Sequence, residues 1–221
     1  MLFDIGANRG DATLAGLKKG HKVIALDAAP RIFKELVANF IYNPNVIPLK
    51  FAVGETDGDT IEFYECVEDG LSSMNKDWLT DESFPYAGKA FRTVRATTIT
   101  LDTLIKEYGL PELIKIDVEG AEDEVLAGYT LKAPQLSFEW SEVTIDSHIK
   151  QLERLRDVNG YTEYALQYIT HHLEEPTEYR SLKEAQDLPN WIKSTTNWWT
   201  TIGWKESNLR PTADVGMLWV R

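Results

Sequence analysis

Short apolar runs closed by an acid or a glycine recur along the chain and alternate with stretches whose apolar residues return at helical spacing. The first lies in MLFDIGANRGDAT, where the run passes Asp4 and enters a glycine-rich turn. VIALDAAP is a second run ending in Asp27, and Pro30 then opens a segment with Ile32, Phe33, Leu36, Val37 and Phe40 on one helical face. NVIPLKFAVG reads as a third strand closed by Gly54, and ELIKIDVEG as a fourth whose apolar residues stop at Asp117. A short helix from Glu122 to Gly128 precedes a fifth strand in QLSFEWSE, and Ile149, Leu152 and Leu155 mark a helix ending near Gly160. YALQYI and VGMLWVR supply a sixth and a final strand. The alternation predicts an α/β fold with a mostly parallel sheet, helices on both faces and a ligand beyond the carboxyl ends of the strands.

Two stretches interrupt the pattern. Within residues 55–110, DTIEFYECVE and AFRTVRATTITL predict an antiparallel insertion, with a lid or rim from Asp69 to Lys89 between them. The second, residues 174–210, is rich in proline, charge and tryptophan. Its Trp191, Trp198, Trp199 and Trp204 lie among amides and hydroxyls, which suits the faces of a sugar in an acceptor-binding segment and equally a packed C-terminal subdomain or a dimer contact.

At 221 residues the chain is read as a single domain over residues 1–221, since it is short for two. A net charge of -12 disfavours a polyanion, so no nucleic acid partner is expected. No apolar run reaches the roughly 18 residues needed to span a bilayer. The lone Cys66 forms no internal disulfide and reads as a small half-buried hydrophobe in a strand, which suits the reducing cytoplasm of the organism itself or of a host. The first strand begins almost at residue 1, so the chain reads either as the start of the fold or as a domain cut from a longer protein. Oligomeric state is not readable from these patterns.

The opening turn narrows the ligand. The dinucleotide fingerprint asks for glycine at its first, third and sixth positions, which here are Gly6, Asn8 and Asp11. Asn8 tolerates the left-handed backbone a tight turn needs, but a carboxylate at Asp11 repels a pyrophosphate at the helix N-terminus. S-adenosylmethionine carries an ammonium and a sulfonium and no phosphate. Asp4 could serve its amino-acid end while Gly6, Ala7, Asn8 and Gly10 let the chain pass close. Asp27 has the spacing of about 20 residues expected of a ribose-binding acid, with Ala28 beside it and the adenine near Phe51, Ala52 and Val53.

DIGANRGDAT, VIALDAAP, FAVG, GLSS, TLDTL and LIKIDVEGAEDEVLAG, in that order, resemble the FkbM-type S-adenosylmethionine-dependent methyltransferases over roughly residues 1–140. The resemblance implies a Rossmann-like, class I methyltransferase sheet of seven strands and O-methylation of a sugar, glycan or other polyhydroxylated product, with S-adenosylhomocysteine released. It also places Ser72 and Ser73 of GLSSM near cofactor or acceptor. Where the family commonly has glutamate followed by proline, this chain has Asp27 and Ala28. The rival readings are a non-catalytic S-adenosylmethionine-binding module and a methyltransferase acting on RNA, a nucleotide or another small hydroxylated metabolite.

Methyl transfer to a hydroxyl needs a positioned acceptor and a base for its proton. KIDVEGAE puts Asp117 at the mouth of the fourth strand, with Lys115 and Glu119 on the same face if the strand continues through them. Asp117 is the first candidate base. Glu139, at the end of the neighbouring strand with Trp140 beside it, is expected within reach of the same site and, with Asp117, could form a divalent metal pair. His171 and His172, following YALQYI, are alternative bases, while His21 reads as a surface residue before the second strand and His148 opens a helix.

Overall fold

The computed structural model describes residues 1–84, 86–168, 173–195 and 215–221. Its first half runs β1 (Leu2–Ile5), α1 (Asp11–Lys18), β2 (Val23–Leu26), α2 (Pro30–Phe40) and β3 (Val46–Leu49). An insertion follows, with β4 (Ala52–Val53), β5 (Thr60–Cys66), α3 (Asp77–Thr80) and β6 (Phe91–Ile99). The chain then returns through α4 (Leu101–Tyr108), β7 (Leu113–Ile116), α5 (Glu122–Ala127), β8 (Gln135–Ser141), α6 (Ile145–Asp157) and β9 (Glu163–Tyr168). It closes with β10 (Arg180–Ser181), α7 (Leu188–Thr195) and β11 (Val215–Val220).

The main sheet has the order β10-β9-β11-β8-β7-β1-β2-β3. Strands β3, β2, β1, β7 and β8 are parallel, whereas β11 runs antiparallel between β8 and β9. This is the predicted sheet with one addition, the two-residue β10 paired to the outer edge of β9. Strand order reverses between β1 and β7, so their carboxyl ends splay apart and leave a crevice.

The period of two decides which face each residue serves. Phe3, Ile5, Ile24 and Leu26 point into one buried cluster with Val125, Leu126, Leu152 and Leu155. Leu2, Val23, Ala25 and Leu113 point the other way, into a cluster with Ala12 and Leu36 of the first two helices. Each fully buried aliphatic or aromatic side chain contributes roughly 1.5–3 kcal/mol. Both faces are thus covered, which a parallel sheet requires. Pro30 opens α2, where its fixed φ and missing N–H cost nothing, and Thr100 caps α4 by accepting from Thr103 N at 3.0 Å.

The third strand departs from expectation. It stops at Leu49, and Ala52–Val53 leave the main sheet to pair in parallel with Thr98 and Ile99 of β6. Strand β3 is a sheet edge and carries Pro48, which a central strand would not tolerate. The insertion is antiparallel as predicted, β5 pairing with β6 from Thr60↔Thr97 to Cys66↔Phe91.

The described part of the C-terminal segment packs. Leu182, Ala185, Leu188, Trp191 and Ile192 join the larger core cluster, and Trp191 meets Tyr164 edge-on at 5.3 Å with Arg180 over its ring at 3.9 Å. Trp191 therefore serves packing. His148 lies in the first turn of α6, as its position predicted, and is buried there: its Nε2 accepts from Ser141 N at 3.0 Å and its Nδ1 lies 2.8 Å from Gln151 Oε1. Among the described residues no helix is long and apolar enough to cross a membrane.

Candidate active site

The turn after β1 holds Gly6 at φ 72°, Asn8 at 50° and Gly10 at 99°. A Cβ on Gly6 would lie 1.8 Å from the carbonyl oxygen of Asp117, and one on Gly10 would lie 2.2 Å from Phe40 Cε2. Both glycines are required by close approach as well as by conformation. Asp117 N in turn donates to Ile5 O at 3.0 Å, so the ends of β1 and β7 are laced together beneath the crevice.

Asp27, just past β2, accepts from Asn8 N at 3.0 Å through one oxygen and from Ala29 N at 2.9 Å through the other. Burial pushes its pKa up to about 6, against the opposing pull of those two N–H groups. Each oxygen keeps a lone pair for a ligand. Asn8 Oδ1 is buried and has no hydrogen-bond partner among the described residues, which leaves an acceptor beside Asp27.

Asp4 lies deeper than the sequence suggested. It is fully buried, its Oδ2 accepts from Thr13 Oγ1 at 2.6 Å, and its Oδ1 lies 3.3 Å from Lys115 Nζ. Lys115 Nζ also donates to Gly6 O at 3.1 Å and lies 3.2 Å from Asp117 Oδ2. Burial disfavours the ammonium, but Asp117 and Asp4 outweigh it and hold the Lys115 pKa above its ordinary value.

Strand β7 ends at Ile116, so Glu119 does not reach the site by strand alternation. It adopts φ 58°, followed by Gly120 at 79°, and this left-handed pair turns the chain so that the carboxylate comes round to Asp117. Carboxylate oxygens of Asp117, Glu119 and Glu139 lie within 4.8 Å of one another. The pKa values of Glu119 and Glu139 are driven well up, by burial first and then by the neighbouring carboxylates. Oxygens this close could share a divalent cation or share protons among themselves.

The insertion seats on the same turn. Trp78 Nε1 donates to Glu119 Oε2 at 3.1 Å, Asn75 Nδ2 to Gly120 O at 2.9 Å and Ser73 Oγ to Val118 O at 3.4 Å. Trp78 lies flush on Gly120, where a Cβ would approach Trp78 Cε3 to 2.5 Å, and Phe84 and Tyr86 flank the indole at 5.1 and 5.3 Å. At its other end Asp69 pairs with Arg9 at 2.6 Å and Arg31 at 2.7 Å, tying the loop to the opening turn and α2. None of Asn75, Trp78 or Tyr86 stood out in the sequence, where they are single polar or aromatic residues in a loop without period.

Between these parts lies a cavity of about 310 Å³. Gly6, Ala7, Asn8, Asp27, Ala28, Ala52, Val53, Ser72, Lys115, Asp117 and Glu119 line it, together with apolar walls from Ile32, Phe51 and Phe63. Glu139 stands outside this wall but in the carboxylate group just described. Asp4 and Gly10 lie beneath the turn and not on the cavity surface. Ser73 and Trp140 are corrections: both are fully buried, Ser73 bound to Val118 O and Asn75 N, and Trp140 donating to Gln167 O at 3.2 Å, so neither faces an acceptor. His171, His172, Trp198, Trp199 and Trp204 lie outside the described residues.

Sheet order and the placement of the cavity at the strand reversal define a Rossmann-like α/β fold with its ligand crevice at the carboxyl ends of the strands. The chain belongs to the FkbM methyltransferase domain family, whose model matches residues 4–164. It is 28% identical over 159 residues to the hexuronic acid methyltransferase AglP of Haloferax volcanii, a match covering 70% of this chain. The chain spans 60% of the length of that curated relative. Among solved structures it is similar to the precorrin-6y C5,15-methyltransferase of Geobacter metallireducens, at 10% identity and a TM-score of 0.42, over 99% of this chain and 79% of the other.

Proposed function

We propose that this domain transfers a methyl group from S-adenosylmethionine to a hydroxyl of a sugar or glycan. The observation that carries the reading is the charge of the cavity: Asp11, Asp27, Asp117 and Glu119 line it with Lys115 as the one cation among the described lining residues. Such a lining favours a cationic ligand and repels a polyphosphate. The relative that methylates a hexuronic acid supports a carbohydrate acceptor.

When bound, S-adenosylmethionine supplies an electrophilic methyl group on a sulfonium sulfur. Asp27 would accept from the ribose hydroxyls and Asn8 Oδ1 from the ammonium, while Phe51 and Val53 offer apolar surface to the adenine. Lys115 holds Asp117 in place. Asp117 or Glu139 would orient the acceptor hydroxyl and take its proton. A base positioned in this way contributes about 100- to 10,000-fold to the rate.

The test is calorimetric titration with S-adenosylmethionine and S-adenosylhomocysteine, followed by an assay of S-adenosylhomocysteine release over a sugar panel with and without EDTA. Binding together with sugar-dependent release is the expected result. Absence of binding would overturn the reading, and loss of release in EDTA would assign the carboxylate group to a metal.

A further inference from the structure

We propose that the tip of the insertion, residues 68–70, is a gate over the cofactor end of the cavity, latched by Asp69 between Arg9 and Arg31, and that it opens to admit and release the ligand. The inference rests on the methyltransferase reading above and adds how its cofactor enters and leaves.

The tip sits where such a gate must sit. Gly70 and Ser72 share the cavity wall with Asn8 and Asp27. Gly70 holds φ 85° and passes so close to the opening turn that a Cβ on it would lie 3.5 Å from Asn8 Nδ2. Beside it, Asp69 reaches the two segments that carry the cofactor groups, since Arg9 follows Asn8 and Arg31 lies in the first turn of α2, just after Asp27.

Tip and base are held unequally. At the base, Cys66 N donates to Ser72 Oγ at 3.0 Å, Tyr64 and Ser73 exchange backbone hydrogen bonds of 2.9 and 3.2 Å, and Leu71 packs against the cluster of Cys66 and Trp78. Glu68 pairs with Lys89 inside the insertion, so Asp69 makes the ion pairs that tie the tip to the rest of the described domain. Those pairs are easily given up. Glu35 lies 2.6 Å from Arg9 and 3.7 Å from Arg31, so carboxylates and guanidiniums alternate around a ring whose four members are all about a third to a half exposed. When Asp69 leaves, both arginines keep Glu35 and gain water, and no charge is stranded. Exposed pairs of this kind hold weakly enough to open and, acting together, firmly enough to keep the closed state dominant.

A ligand biases the gate through Asn8. With the tip down, Asn8 Oδ1 is buried and has no hydrogen-bond partner among the described residues, and a buried acceptor left unpaired is costly. A donor on the ligand satisfies it in the closed state, whereas water can do so once Gly70 lifts away. The ligand therefore stabilises closed over open, the differential interaction that ligand-driven closure requires.

The experiment uses the full chain and Asp69→Ala, an exposed substitution that leaves the core untouched. Stopped-flow binding of S-adenosylhomocysteine would be followed at low and high salt, and hydrogen exchange of the residue 68–70 amides with and without that ligand. A weakened latch frees the tip in both free and bound chains, so association and dissociation rate constants should rise together by about three- to tenfold while Kd stays within about twofold. High salt should speed exchange of the ligand in the native chain and change the variant little. Hydrogen exchange at the tip should rise in Asp69→Ala and fall in the native chain on binding. Unchanged rate constants, or a rise in dissociation alone, would overturn the gate and leave the methyltransferase reading intact. A native chain that binds neither S-adenosylmethionine nor S-adenosylhomocysteine would overturn the methyltransferase reading, and hydrogen exchange at the tip that Asp69→Ala leaves unchanged would overturn the latch by itself.

Discussion

Asp4 and Lys115 stand opposite each other in the register of β1 and β7, both buried, with their charged atoms 3.3 Å apart. Because the period of the strand is two, both side chains point to the face covered by α1, where Thr13 donates to Asp4 Oδ2 while Oδ1 faces the Lys115 ammonium. The pair thus forms the floor of the crevice, and Lys115 transmits it to Asp117 and to the Gly6 carbonyl above.

Removing one partner of a buried pair leaves the other charge uncompensated, which typically costs about 3–5 kcal/mol. Lys115→Met should therefore lower stability in urea by an amount of that order. The double variant Asp4→Asn, Lys115→Met should recover part of the loss. Equal stability of Lys115→Met and the native chain would show that the pair is not coupled.

Gly6→Ala tests the lacing of the two strand ends. The new methyl group would collide with the Asp117 carbonyl at 1.8 Å in a left-handed backbone, so strand separation or unfolding must follow. The expected result is a loss of several degrees in Tm, in line with roughly 1–3 kcal/mol for backbone strain alone. A fully stable variant would contradict the packing described.

Trp78→Phe keeps most of the buried ring and removes the donor to Glu119 Oε2. That hydrogen bond holds the Glu119 pKa down against burial and its acidic neighbours, so its loss should raise the pKa further. Acceptor KM and the pH profile of kcat should change while S-adenosylmethionine affinity stays within about twofold. A weakened cofactor with unchanged acceptor kinetics would place Trp78 in the wrong half of the site.

Asp27 is expected to bind its ligand as the carboxylate. With a pKa pushed up to about 6, it is ionised at pH 7.5 and protonated at pH 5, so S-adenosylmethionine affinity should fall across that interval. Asp27→Asn should weaken binding by about tenfold or more, the order of one hydrogen bond to a charged group, and flatten the pH dependence. Calorimetry at the two pH values with both proteins decides the matter.

Glu122 is buried at the start of α5 with its pKa pushed up to about 7 from 4.5, chiefly by burial. Its folded-state pKa is the higher one, so the folded state favours the protonated form. The associated stability is complete below about pH 4.5 and is lost as pH rises through about 7. Glu122→Gln removes this titration. Relative to the native chain it should gain up to roughly 3 kcal/mol between pH 4.5 and pH 8, measured by urea unfolding at each pH. A difference that does not move with pH would contradict the buried-acid assignment.

The strand ends β1, β2, β7 and β8, the turn at Gly6 to Gly10 and the acid Asp27 were legible in the sequence because their signals are local. An alternating apolar run, a glycine-rich turn and an acid at a strand terminus each declare themselves within about ten residues. Asn8, Ala28, Ala52 and Val53 lie on the cavity for the same reason, since they follow directly from where strands stop.

Other parts depended on distances along the chain that no local pattern encodes. Asp4 meets Lys115 through the register of two strands more than a hundred residues apart in sequence. Glu119 joins Asp117 and Glu139 through a left-handed turn rather than a continued strand, and Trp78 reaches Glu119 from an insertion with no hydrophobic period. Ser73 and Trp140 look like site residues by position yet are turned into packing by the neighbours that the fold supplies. The sequence by itself determined the α/β layering, the crevice and its acidic strand ends, because period and turn chemistry act over a few residues. Only the tertiary structure decided which acids gather beside Asp117 and which lie buried in the floor, because register and long-range docking set those distances.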